Sequence, residues 1–271
     1  IDAKFPIKLI GDESLSKRDF SRVTEPLKKL GVKIKTNKNL LPVIIYGSNT
    51  LKPINYLEKK GSAQCKSSMM LAALKASGVS KIKAKKSRDH TERMFKNLKI
   101  PINLKSKKNY DIIKIKNIKQ YDAFDYIIPG DISSAAFFIV LTALSDNSEL
   151  LIKNVNINPS RTGIISILKK MGVKIIFKNI RNYKGEKNAD IKIKSPKKLK
   201  AINCPAKLNS GAIDEFLSIF LVAAKAQGIS YFKNLSELNQ KESPRLIWGQ
   251  KILNNMGIKT VVTNDSIKIY G

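Results

Sequence analysis

Residues Gly61–Arg93 read GSAQCKSSMMLAALKASGVSKIKAKKSRDHTER. The stretch opens on the small and polar Ser62, Ala63 and Gln64, continues into an apolar helix through Met69, Met70, Leu71, Ala72, Ala73 and Leu74, and breaks at Gly78. A short Ile- and Val-bearing strand follows. Ser87-Arg88-Asp89-His90-Thr91-Glu92 then reads as a serine N-cap leading a second helix. Free amides at such a helix start face whatever Arg88 faces, and an anion belongs there.

The same unit recurs along the chain. After Asp131 comes SSAAFFIVLTAL, a strand-like run from Leu150 to Val155, and Ser160-Arg161 ahead of ISILKKMGVKI. After Ser210 comes GAIDEFLSIFLVAAKA, then Ile229 to Phe232, then Glu242-Ser243-Pro244-Arg245 ahead of IWGQKILNNMGIKT. The chain begins with half a copy, Lys17-Arg18 leading into EPLKKLGVKI. Copies end at Gly31, near Lys99, at Gly172 and at Gly257. That spacing is too long for a solenoid and suits a duplicated α/β unit of two helices plus strands.

The 271 residues suffice for two domains with real cores, and a hydrophobic content of 42% is that of a globular protein. The longest apolar or small run, around Ala135 to Leu144, is far short of a membrane span, and no charged-then-apolar leader opens the chain, so a cytoplasmic location is expected. Cys65 and Cys204 have no CxxC partner and are expected to stay reduced. With His90 the only histidine, a zinc site or a Ser-His-Asp site is disfavoured.

A formal charge of +30 raises the question of nucleic acid. The lysines are scattered through every segment, and no RNP-like aromatic stretch, zinc knuckle or helix-turn-helix pattern accompanies them. A solvated basic surface is therefore the better reading. The seven arginines are placed more selectively. Arg18, Arg22, Arg88, Arg93, Arg161 and Arg245 all lie at the start of the second helix of a copy, and only Arg181 falls elsewhere. A guanidinium grips phosphate or carboxylate bidentately, so arginine kept amid so much lysine points to oriented anion recognition. For Arg161 a bridge to a neighbouring helix end is the better reading.

Strands are expected at Lys8–Ile10 and Pro42–Tyr46, an alternating stretch over 100–128, and a lysine-rich, exposed hairpin around Asn182–Asn188. The Pro129-Gly130-Asp131 break suggests domains at 1–128 and 129–271.

The motifs GDESLSKRDFSRVTEPLKKLGV, GSAQCKSSMMLAAL, SRDHTERM, PGDISSAAFF, NPSRTGIISILKKMG, AIDEF and KESPRL, in this order, closely resemble the 5-enolpyruvylshikimate-3-phosphate synthase family. They look most like its glyphosate-tolerant class, which carries Ser-Ala-Gln at the first site. The resemblance implies a two-domain inside-out α/β fold of repeated βαβαββ units with the active site in the cleft between domains. It implies a full-length monomer that needs no metal or organic cofactor, acts on two small anions, and has no specific nucleic-acid or membrane partner. By that resemblance Ser62, Ala63, Gln64 and Arg88 would hold shikimate 3-phosphate, while Arg18, Arg245 and Gln64 would meet phosphoenolpyruvate. Asp214 would take the proton of the attacking 5-hydroxyl, Lys241 would contact that region, and Glu242 would protonate the methylene carbon.

Each assignment has a plainer counterpart. Asp214 and Glu215 precede an apolar helix, and Glu242-Ser243-Pro244 opens another, so local pattern alone favours capping. Gln64 has the alternative of a satisfied wall residue, and Cys65 reads as a small core residue. The chain also departs from the family pattern at Asp19, at Asn239-Gln240 and at Pro244. The family's Lys-Ser-x-Ser-x-Arg segment, Asn-Ser-Gly-Thr loop and Asp-His-Arg segment have no counterpart, which suggests an internal portion of the enzyme, incomplete and inactive alone. The alternatives are a UDP-N-acetylglucosamine enolpyruvyl transferase-like enzyme, an RNA 3'-phosphate cyclase, and a non-catalytic basic binding module.

Overall fold

The computed structural model describes residues 1, 3–48, 50–118, 120–240 and 243–271. The chain forms two compact units, Ile1–Asp125 and Tyr126–Gly271. The boundary falls ahead of the Pro129-Gly130 break because the chain has already joined the second unit there. The Tyr126 ring packs on Tyr183 at 5.3 Å, and the Ile127 amide donates to the Tyr183 hydroxyl at 3.2 Å.

The first unit contains, in order, β1 (Ile7–Leu9), α1 (Glu13–Ser16), α2 (Ser21–Lys29), β2 (Lys33–Asn37), β3 (Leu40–Tyr46), β4 (Asn55–Glu58), α3 (Ala63–Ala73), β5 (Val79–Lys85), α4 (His90–Asn97), β6 (Ile102–Ser106) and β7 (Tyr110–Lys116). The second contains α5 (Ile132–Leu144), β8 (Glu149–Asn156), α6 (Gly163–Lys170), β9 (Lys174–Tyr183), β10 (Glu186–Lys194), α7 (Phe216–Ala224), β11 (Ile229–Phe232), α8 (Arg245–Asn255), β12 (Thr260–Val262) and β13 (Ile267–Tyr270). Short 3-10 turns at Ala206–Gly211 and Ser236–Gln240 precede α7 and α8.

The repeat seen in sequence is a repeat of topology. One sheet has the order β4-β5-β7-β6, with β4 parallel to β5 and the remaining pairs antiparallel. The sheets β8-β10-β9 and β11-β13-β12 follow the same order, with a parallel bridge from Gly130 to Val155 and from Asn203 to Tyr231 where β4 would stand. The sheet β1-β3-β2 is the half copy.

A shared helix ending explains why the copies are recognisable. After α2, α4, α6 and α8 the chain turns through a positive φ at Gly31, Lys99, Gly172 and Gly257. In each case the next amide bonds five residues back: Val32 to Leu27, Ile100 to Phe95, Val173 to Leu168 and Ile258 to Leu253, all at 2.9–3.1 Å. This is the glycine-type helix stop with its apolar pair across the turn, and it launches the following strand in a fixed direction.

Each unit has its own core. Leu30, Met69, Met70, Ala73, Ile82, Phe95, Ile113 and Ile115 fill the first. In the second, α7 lies among α5, α6 and α8, and Phe216, Phe220 and Phe232 stack at 5.4–6.0 Å between ring centres. Strands cover the helices. In β5 the alternation puts Ser80, Ile82 and Ala84 inside and Lys81, Lys83 and Lys85 outside, the period-2 rule of a one-sided sheet. Some outer lysines lie over rings: Lys83 over Tyr110 at 4.4 Å, and Lys268 over Tyr231, its cross-strand partner, at 5.5 Å. The Asn182–Asn188 hairpin exists, turning at Lys184-Gly185, but it is not wholly exposed, since Glu186 and Asn188 are buried.

Candidate active site

In the first unit two helix starts are tied together. The buried Glu58 at the end of β4 accepts the Lys60 and Gly61 amides at 3.0 and 2.6 Å, fixing the turn into α3. Ser62 caps α3 by accepting the Cys65 amide at 3.2 Å. Ala63 is the first helical residue, and Gln64 beside it is exposed, so Gln64 is not a buried wall residue.

The cap of α4 differs from expectation. Asp89, not Ser87, holds that position, because the chain leaves β5 at Lys85 and reaches helical geometry only at His90. Asp89 pairs with Arg93 at 2.9 Å, and the Ser87 hydroxyl is buried with no hydrogen-bond partner among the described residues. Arg88 lies just ahead of this start. Its carbonyl accepts from Lys66 Nζ of α3 at 2.8 Å, and the same ammonium stands 2.6 Å from Glu92 Oε1. Ser67 and Thr91 share a further hydrogen bond at 2.6 Å between α3 and α4.

Arg18 sits half-buried between α1 and α2 in the preceding half copy. Its neighbour Asp19 is turned onto the start of α2, accepting the Ser21 amide at 2.7 Å and the Ser21 hydroxyl at 2.9 Å. Those bonds, the backbone one first, hold its carboxyl below the usual range. The departure at Asp19 therefore supplies a local cap to α2.

In the second unit Arg161 does what its sequence position suggested. Its guanidinium donates to Asp131 Oδ1 and Ser133 Oγ, both at 2.7 Å, bridging the start of α6 to that of α5. Ser133 in turn donates to Glu215. Glu215 stands at the N-cap of α7, yet its side chain makes no capping bond. Asp214 meets Arg245, the first residue of α8, with Oδ1 and Nη1 3.2 Å apart and the two side chains 27% and 25% exposed. The capping expectation is thus replaced for both acids by contacts with other helix starts.

Lys241 and Glu242 lie outside the described residues. On either side of them Asn239 Oδ1 accepts the Leu246 amide at 3.2 Å, so the departure at Asn239 provides a cap to α8. Among the described residues no group of three or more His, Cys, Asp and Glu is placed to hold a metal, and no helix is long and apolar enough to cross a membrane. Cys65 and Cys204 are both buried and free.

The structure thus brings Arg88 to the Ser62-capped helix and Asp214 to Arg245. The residues missed by sequence reasoning are Lys66, Glu92, Ser133 and Glu215's partner role. A lysine set on the buried stripe of α3 with Met69, Met70 and Ala73, at spacings of three, four and seven, was the available signal for the first.

Residues 2–271 match the family model described as EPSP synthase (3-phosphoshikimate 1-carboxyvinyltransferase). A 3-phosphoshikimate 1-carboxyvinyltransferase of Ruthia magnifica subsp. Calyptogena magnifica is 43% identical over 269 residues, covering 99% of this chain and 61% of the relative. One of Legionella pneumophila (strain Paris) is 41% identical with the same coverage. Among solved structures, EPSP synthase from Acinetobacter baumannii superposes with a TM-score of 0.85 at 39% identity, over 100% of this chain and 60% of that one. The enolpyruvyl transferase NikO from Streptomyces tendae, at 13% identity, shares the fold with a TM-score of 0.67, over 98% of this chain and 60% of that one. The chain spans about three-fifths of the length of the curated relatives it matches.

Proposed function

Given that the chain belongs to the EPSP synthase (3-phosphoshikimate 1-carboxyvinyltransferase) family, we propose that it serves the transfer of the enolpyruvyl group of phosphoenolpyruvate to the 5-hydroxyl of shikimate 3-phosphate, with release of phosphate. The observation that carries this is the α3–α4 pair. A serine-capped helix start, whose first amides are available to an anion, is tied through Lys66 to the backbone of Arg88. That combination suits a phosphate monoester, which takes backbone amides on one side and a guanidinium fork on the other.

In this reading Ser62, Ala63, Gln64 and Arg88 bind shikimate 3-phosphate, and Arg18 and Arg245 meet phosphoenolpyruvate. Asp214 accepts the proton of the 5-hydroxyl as its oxygen attacks C2, while Glu242 protonates C3 and Lys241 contacts the hydroxyl. The resulting tetrahedral adduct loses phosphate and a proton from the new methyl group, restoring the enol double bond. C2 becomes electrophilic only as C3 gains a proton, so base and acid must act together on the two partners. The Arg245 contact supports the role of Asp214 by orienting its carboxylate. In this reading the full-length protein acts as a cytoplasmic monomer on small anions.

Calorimetric titration with shikimate 3-phosphate is the test. Saturable binding is expected, weakened in Arg88→Ala by the loss of charge-assisted bonds of roughly 1.5 to 3 kcal/mol each. In a longer protein that contains this chain, Asp214→Asn should bind the same ligand within a few-fold, yet release phosphate about a hundredfold more slowly once phosphoenolpyruvate is added. No binding by the wild type, or equal binding by Arg88→Ala, would overturn the assignment.

A further inference from the structure

Lys66 of α3 and Glu92 of α4 are buried in the first unit, with side chains 0% and 2% exposed. Neither is needed to fill space, since Met or Leu would occupy the same volume, and a buried ion pair is poor evidence of stabilisation. Glu92 Oε1 stands 2.6 Å from the Lys66 ammonium, the distance of a charge-assisted contact. The pair nevertheless has a directional output. With Glu92 holding its charge on one side, Lys66 Nζ donates on the other to the carbonyl of Arg88, 22 residues away, at 2.8 Å. Cys65, the residue preceding Lys66, is the one whose amide Ser62 caps.

We propose that Lys66 and Glu92 are positioning residues for anion binding: the buried pair pins the Arg88 backbone to the first turn of α3, so that the guanidinium and the α3 amides are presented to the same ligand. The ligand arm rests on the enolpyruvyl-transfer reading. The mechanical arm does not, because it concerns only the attachment of residues 88–93 to α3. The Ser67–Thr91 hydroxyl pair alongside, at 2.6 Å, holds the two helix starts in lateral register but does not reach Arg88. Removing the charge pair therefore takes away the Lys66 bond to the Arg88 carbonyl and leaves the Ser67–Thr91 bond between α3 and α4.

The test uses Lys66→Met/Glu92→Leu, which removes both charges and leaves neither stranded, and the isosteric Glu92→Gln as a second variant that keeps an acceptor for Lys66. Thermal unfolding establishes that each is folded. Hydrogen exchange then reads the amides of residues 88–93, which are expected to lose protection in the double variant, and less so in Glu92→Gln, while β5 and β7 stay unchanged. Shikimate 3-phosphate affinity is expected to fall roughly tenfold in the double variant, and to show no further fall when the same changes are made in Arg88→Ala, as coupled groups require. A folded variant with unaltered protection at residues 88–93 would overturn the positioning role whatever the ligand. Equal losses in the wild-type and Arg88→Ala backgrounds would overturn its link to Arg88. Absence of binding by the wild type would refute the functional reading instead, and the exchange measurement would still decide the mechanical one.

Discussion

Replacing Gly163 by alanine sets two physical effects against each other. Gly163 opens α6, its φ lies outside the left-handed region, and helix propensity alone rates alanine better by up to about 1 kcal/mol. A Cβ there, however, would stand 2.6 Å from the Gly211 carbonyl carbon and 2.7 Å from both Ala212 N and Leu208 O. All three are backbone atoms of the turn that leads to Asp214, so no side chain can swing away. Ordinary contact begins at 3.4 Å, so helix and turn must part by about 0.8 Å. Overpacking costs about 1–3 kcal/mol, toward the upper half (about 2–3) here because only backbone could yield, so after a propensity gain of up to about 1 kcal/mol a net loss of about 1–2 kcal/mol remains. For a unit of this size that lowers the melting temperature by roughly 3–8 °C. Gly249→Ala is the control. The nearest atoms there, at 2.9 and 3.1 Å, belong to the Phe220 and Leu217 side chains and can shift, so a smaller loss is expected. Calorimetry or circular dichroism decides: a melting temperature for Gly163→Ala equal to or above wild type would refute the close-packing account.

Three other outcomes are expected. Arg161→Ala should lower stability by about 1–2 kcal/mol in urea unfolding through loss of its bonds to Asp131 and Ser133, discounted because the Asp131 side chain is 50% exposed; a change below a few tenths would remove its bridging role. Burial raises the Cys204 thiol from its ordinary 9.0 to about 11, so the folded state keeps a proton that the unfolded chain releases. Its contribution to stability is accordingly full below pH 9 and lost as pH rises toward 11, and iodoacetamide at pH 8.5 should label Cys204 only on unfolding, which mass spectrometry would read. Binding to duplex DNA, followed by fluorescence anisotropy, should be weak, indifferent to sequence and steeply reduced by salt; tight selective binding at physiological salt would favour a nucleic-acid role.

Much of the fold was legible because its punctuation is local. The helix stops at Gly31, Gly172 and Gly257 each need one residue of positive φ and one apolar pair, and these leave the same letters in each copy. Arg161 was legible as a bridge because it stands at a helix start, within reach of a neighbouring one. What was not legible depends on distant parts of the chain. Ser133 and Glu215 are 82 residues apart, and no local pattern tells that a residue at a helix N-cap will turn to another helix. Ser87 and Asp89 are both good caps, and the choice between them was made by how far β5 runs before the chain can curl. Lys66 was passed over as one lysine among many, although the stripe it interrupts is the most buried part of α3.

The outward lysines of β5, β7, β10 and β13 have a consequence for how such a sequence changes over generations. A strand whose inner face is fixed by Ile82, Ile113, Ile191 or Ile267 leaves its alternate positions answerable mainly to water and to neighbours on the outer face. The two registers accordingly take different residues, isoleucine on the inner and lysine on the outer. The chain thus carries a charge of +30 with its modules and helix stops intact. The pleat of the strand thereby acts as a sieve on mutation.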